Sequence, residues 1–177
     1  QRPYVESDPP CPVNVYGQSK AEAERQILAG GGRPLMIRTA AFFSPFDPYN
    51  FAVHLMRALS ERREFLAAED LVVSPTYVPD LVHASLDLLV DGERGIWHLS
   101  NAGSMTWAQL ARTAAAMAGL DPERIRTHAS EESNVSAARP RYSVLGSERG
   151  VLLPPLEDAL RRYISDGGFR RDRLVDE

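Results

Sequence analysis

The sequence predicts an α/β fold with a partly parallel sheet, on three observations. Short apolar runs of strand length alternate with helix-forming segments. A chain of 177 residues can bury one real core but not two comfortable ones. Its 44% apolar and 25% charged residues are the composition of a globular protein.

Residues 1–15 are proline-rich and lack periodicity, which predicts an extended loop. From Tyr16 to about Leu28 the Ala, Glu and Gln content is strongly helix-forming, and "AGGGRP" supplies glycine for a left-handed cap. "PLMIRTAAFF" reads as a buried parallel strand. "NFAVHLMRALSER" reads as an amphipathic helix with Phe51, Leu55 and Leu59 on one face. "EFLAAEDLVVSPTYVPD" holds short strands and a turn, with Thr76 and Tyr77 structural, and Pro79 and Asp80 open a helix reaching about Val90. "GIWHLSN" is another strand. Thr106 and Gln109 have capping-box spacing at the start of a helix that stops at Gly119. "PPLEDALRRYISD" is the last helix. The domain is expected to span residues 1–165, with 166–177 a polar, frayed tail.

A net charge of −4 and a pI near 5.6 argue against nucleic-acid binding, which needs a basic surface. Arg161–Arg162 and Arg170–Arg171 read as solvated helix ends. No apolar run approaches the roughly 20 residues of a membrane span, and no signal-peptide pattern is present, so no membrane association is expected. Cys11, the single cysteine, fits a reducing cytoplasm and lacks a nearby base for nucleophilic work. His54, His83, His98 and His128 lack ligand spacing, so no metal site is assigned. Glu61/Glu64 and Glu131/Glu132 read as solvated pairs, and Trp97 and Trp107 as core residues. A strand, glycine-rich turn and helix that would cradle a dinucleotide is missing, since "AGGGRP" follows a helix and leads into a strand.

The stretch "PVNVYGQSKAEAER" carries the candidate chemistry. Lys20 is the only lysine beside 19 arginines, and Tyr16 stands four positions before it. Four-residue spacing puts both side chains on one helix face. A phenol titrates near 10, so proton exchange near neutrality requires roughly 4 kcal/mol of assistance. An ammonium about 6 Å away at an effective dielectric near 20 contributes roughly 2.8 kcal/mol. Such a pair suits proton transfer to a carbonyl oxygen during reduction. Gly17 and Ser19 would let a flat cofactor approach the helix. The spacing alone is equally met by an ordinary solvated helix start.

"YVESDPPCPVNVYGQSKAEAE", followed in order by "MIRTAAFFSP", "YNF", "VSPTYVPDLVHASLDLL", "GIWHLSN" and "ARPRYSVLGSERG", closely resembles the extended short-chain dehydrogenases/reductases of the dTDP-4-dehydrorhamnose reductase group. "FFSPFDPYNF" resembles versions fused behind a glycoside-hydrolase-like domain. The resemblance implies the C-terminal portion of a Rossmann-like doubly wound domain plus the small substrate-binding subdomain. It implies a missing N-terminal half that carries the dinucleotide loop. It also implies NADPH or NADH as cofactor and a sugar nucleotide of the dTDP-4-dehydrorhamnose type as substrate, with an oligomer possible. Tyr16 would be the general acid at the C4 oxygen, and Lys20 would assist it and hold the nicotinamide ribose. Arg139 falls in the group's substrate-side motif, where its forked donors suit a diphosphate, although an arginine there could equally pair with a neighbouring acid. Ala41 stands where the group places a tryptophan against the sugar. That departure leaves open a non-catalytic sugar-nucleotide-binding module, and an epimerase or dehydratase of the same superfamily remains a further alternative.

Overall fold

The computed structural model describes residues 2–132, 137–150 and 153–168. Helix α1 (Val15–Ala29) is followed by β1 (Leu35–Arg38), β2 (Phe42–Phe43), α2 (Phe51–Ser60), β3 (Phe65–Ala68), β4 (Val72–Val73), β5 (Thr76–Tyr77) and α3 (Val78–Val90). Then come β6 (Gly95–His98), β7 (Asn101–Ala102), β8 (Met105–Thr106), α4 (Trp107–Met117), β9 (Ile125–His128), β10 (Tyr142–Ser143), β11 (Leu153–Pro155) and α5 (Leu156–Tyr163). A single wide helical turn, Ile164–Gly168, continues α5. The predicted polar tail falls almost wholly outside the described residues, as do Arg170–Arg171.

Pairing is parallel at β1–β6, β2–β5, β3–β9, β4–β10 and β7–β11, and antiparallel only at β4–β8 among the described strands. Two ladders carry the packing. In the first, Leu35 pairs with Gly95 and Arg38 with His98. Alternation sends Leu35 and Ile37 to one face, where they meet Leu81, Ala84 and Leu88 of α3, with Trp97, Leu99 and Leu153. Met36 and Arg38 therefore face α1. The strand is half-buried rather than buried as its apolar run suggested, because that second face borders a cleft.

The second ladder, β3–β9, supports the main core. Leu55, Met56 and Leu59 of α2 meet Leu110, Ala111, Ala114 and Ala115 of α4, and Leu156, Ala159, Leu160 and Tyr163 complete the core from α5. The alanine-rich face of α4 lets the helices approach closely. Both halves of the expected Thr106–Gln109 capping box form, at 3.1 and 2.8 Å, and Gly119 ends that segment with φ 66°. After α1 the left-handed residue is Gly31, with φ 74°, one position beyond the cap.

Arg162 departs from the solvated reading. Its fork meets Asp80 at 2.5 and 2.7 Å and Asp158 at 2.9 Å, and it lies over the Tyr77 ring at 5.2 Å. Asn101 donates to Asp80 at 2.9 Å and accepts from Tyr77 N at 2.7 Å, so one polar knot joins α3, α5, β5 and β7. Burial works to raise the Asp80 carboxyl, but hydrogen bonds from Arg162 and Asn101 hold it below the ordinary range.

A second knot fixes the N-terminal loop. Glu6, buried, accepts from His98 N at 2.9 Å, Ser147 Oγ at 2.7 Å and Glu148 N at 2.8 Å. Burial opposes the charged form, but these donors outweigh it and bring the carboxyl from 4.5 to about 2. Because the folded value lies below the unfolded one, Glu6 stabilises fully above about pH 4.5, and that support is lost as pH falls toward about 2. Denaturant titrations at stepped pH are expected to show about 3 kcal/mol lost across this window. Glu6→Gln should flatten that acid limb and lower stability at pH 7 by about 2 kcal/mol.

Candidate functional site

Helix α1 starts where Asn14 caps it, its Oδ1 accepting from Gly17 N at 2.8 Å. The same side chain donates through Nδ2 to Ala138 O at 2.8 Å, tying the helix start to the segment that carries Arg139. Tyr16 projects from the first turn with 71% of its surface exposed, and Lys20 Nζ lies 5.5 Å from the centroid of the Tyr16 ring. The two side chains point to the same side of the helix. Among the described residues Lys20 makes no hydrogen bond or ion pair.

Tyr16, Lys20, Ala41 and Arg139 all line one cleft of about 1030 Å³. Asn14, Glu24, Arg38 and Met36 complete its polar rim and α1 side, and Phe42, Leu71, Val73 and Trp107 give it an apolar wall. Arg139 makes no hydrogen bond or ion pair among the described residues, whereas its neighbour Arg141 pairs with Glu131. Among the described residues the cleft thus presents two uncommitted cations and one carboxylate, Glu24, which is held by Arg38 at 2.5 and 2.8 Å.

Ala41 sits at the turn between β1 and β2 with φ 48°, in the left-handed region, and its carbonyl accepts from Thr76 N at 3.0 Å. This places a methyl group, not a ring, at the cleft floor and turns the half-exposed Phe42 toward the cavity. Trp107, expected in the core, is half-buried at the start of α4. It packs on Phe51 at 4.6 Å while also bordering the cleft and an adjoining cavity of about 820 Å³ that contains His54, His128 and Arg141. Its place directly after the capping Thr106, at a helix mouth, was the available signal.

At Gly17 the missing side chain makes room within the chain itself. A Cβ there would stand 3.0 Å from Pro12 Cβ and 3.3 Å from Asn14 Oδ1, so the glycine admits the proline loop and the cap. Ser19 Oγ turns back to Tyr16 O at 2.8 Å. Among the described residues no cluster of three His, Cys, Asp or Glu side chains has metal-holding geometry, and no helix is long and apolar enough to cross a membrane.

Residues 1–166 match the RmlD substrate binding domain. The chain belongs to this family. Over 159 residues this RmlD-type domain is 36% identical to a dTDP-4-dehydrorhamnose reductase of Mycolicibacterium smegmatis, covering 88% of the chain and 49% of that protein. Over 151 residues it is 32% identical to a dTDP-4-keto-6-deoxy-D-glucose reductase of Streptomyces niveus, covering 84% of the chain and 51% of that protein. The RmlD-type chain therefore spans about half the length of these relatives. A crystal structure of dTDP-4-dehydrorhamnose reductase from Bacillus anthracis in complex with NADP superposes with a TM-score of 0.87 at 29% identity, covering 93% of the chain and 59% of that structure. The α/β class expected from the sequence holds, and the RmlD-type chain corresponds to the C-terminal, substrate-binding part of a Rossmann-like fold.

Asn14→Ala removes both the cap and the bond to Ala138. Chemical denaturation is expected to show about 1 kcal/mol of lost stability.

Proposed function

We propose that this chain is the substrate-binding, Tyr16- and Lys20-bearing part of an NAD(P)-dependent reductase acting on the 4-keto group of a nucleotide-linked deoxysugar of the dTDP-4-dehydrorhamnose type. The observation that carries this reading is that one cleft gathers the Tyr16 phenol, the free Lys20 ammonium and the free Arg139 guanidinium. The named activities of the relatives, and the NADP held by the Bacillus anthracis reductase, support it.

Each group has a role its chemistry permits. Arg139 borders the cleft without a hydrogen-bond partner among the described residues, and its fork matches a diphosphate bidentately. The apolar wall of Phe42, Val73 and Trp107 excludes water beside the sugar ring. Tyr16 donates its phenolic proton to the oxygen that gains charge as the ketone becomes an alcohol, and the Lys20 charge stabilises the phenolate left behind. The residues also fit a nicotinamide dinucleotide: an exposed ammonium without an acid partner can hold ribose hydroxyls beside the phenol. When bound, that group supplies the reducing equivalents. A partner half that brings the dinucleotide loop, and a cytoplasmic setting, belong to the same reading.

The methyl group at Ala41 favours one second reading, a module that binds sugar nucleotide without chemistry. Calorimetry with a dTDP-sugar distinguishes them, since the reductase reading expects binding to depend on dinucleotide. Net NADPH consumption separates reduction from epimerisation. With the dinucleotide-binding half supplied, Tyr16→Phe is expected to lower kcat by roughly 10²–10⁴-fold with little change in KM, followed by NADPH absorbance. Undiminished turnover would overturn the assignment.

A further inference from the structure

Lys20 and Glu24 stand one turn apart on α1, the spacing at which a lysine and a glutamate attract each other on a helix surface. Both border the same cleft. They nevertheless form no ion pair, because Arg38 has taken both carboxylate oxygens: Nε meets Oε2 at 2.8 Å and Nη2 meets Oε1 at 2.5 Å. The guanidinium is itself fixed. Its Nη1 donates to Glu6 O at 3.3 Å and Asp8 O at 3.4 Å, and faces His98 Nε2 at 3.3 Å. The ring's Nδ1 lies 3.2 and 3.0 Å from the carbonyls of Tyr4 and Gly146, so Nδ1 carries the proton and Nε2 accepts from Arg38. A fork held on three sides cannot swing away and release Glu24.

We propose that Arg38 is a positioning residue that sequesters Glu24, and so keeps the Lys20 ammonium uncommitted for a ligand in the cleft and for Tyr16. The proposal rests on the reductase reading for its purpose but not for its geometry. Without Arg38, Glu24 would turn one helical step back onto Lys20 and neutralise the cation that the site presents.

Lys20 is the chain's only lysine, so an amine-reactive ester reports on it alone once peptide mapping separates the N-terminal amine. In the unsubstituted chain, raising salt from low to about 0.5 M should not speed acylation, because there is no pair to screen. In Arg38→Met, acylation at low salt should run about twofold slower, the factor an exposed i,i+4 pair gives. Either salt or the added Glu24→Gln substitution should restore the rate. An Arg38→Met chain with native circular dichroism and an unchanged rate would overturn the proposal. Should that variant fail to fold, salt acceleration in the unsubstituted chain would overturn it and a flat response would support it. Neither arm needs dinucleotide or sugar, so this result and the Tyr16→Phe result can fail separately.

Discussion

The arginine fork at the end of β1 is the constraint on which the site depends. Helix α1 buries none of its residues, so the hydrophobic effect does little to hold it. What fixes it is polar: the Asn14 cap at one end and the Arg38–Glu24 bridge near the middle. The bridge is shielded, with 20% and 14% of the two side chains exposed, so it resists screening better than a surface pair. Its cost in desolvation is offset because Arg38 also finds backbone carbonyls and a histidine acceptor.

The same economy appears at the two carboxylate knots. Glu6 joins the N-terminal loop to β6 and to residues 147–148, and Asp80 joins α3 to α5 and β7. Both are acids turned inward, Glu6 beside the strand that carries Trp97 and leads into Leu99, and Asp80 beside Tyr77. The large core lies under α2, α4 and α5, and Trp107 brings its edge to the cleft. The Asp80 knot thus ties α5, which supplies part of that core, to α3 and β7 by charge-assisted hydrogen bonds, which set distance and orientation more sharply than apolar contact does.

Much of this was legible in the residues. Periodicity placed α2, proline and acid placed α3, and the capping box and Gly119 placed α4, because each signal is local. The spacing of Tyr16 and Lys20 placed them on one helix face, and their order with Arg139 and Ala41 in a resembling family pointed to one cavity. Long-range electrostatics was not legible. Nothing local tells that Arg162 leaves its neighbour Arg161 to reach Asp80, 82 positions away, or that Glu24 prefers Arg38 to the lysine one turn before it. The close approach of Pro12 to Gly17 was hidden for a related reason: sequence shows that glycine is permissive without showing what comes close.

The left-handed alanine at position 41 has a consequence for how such a cleft can diverge. Its width at that corner is set by backbone conformation, and any larger L-residue there inherits the same torsional penalty of about 1 kcal/mol or more. Because Ala41 already bears that cost, a larger side chain there adds no new backbone penalty, and that corner of the cleft can be narrowed by point substitution. Phe42 and Trp107 offer further routes across the floor, since their rings can be trimmed or swapped without reshaping the main chain.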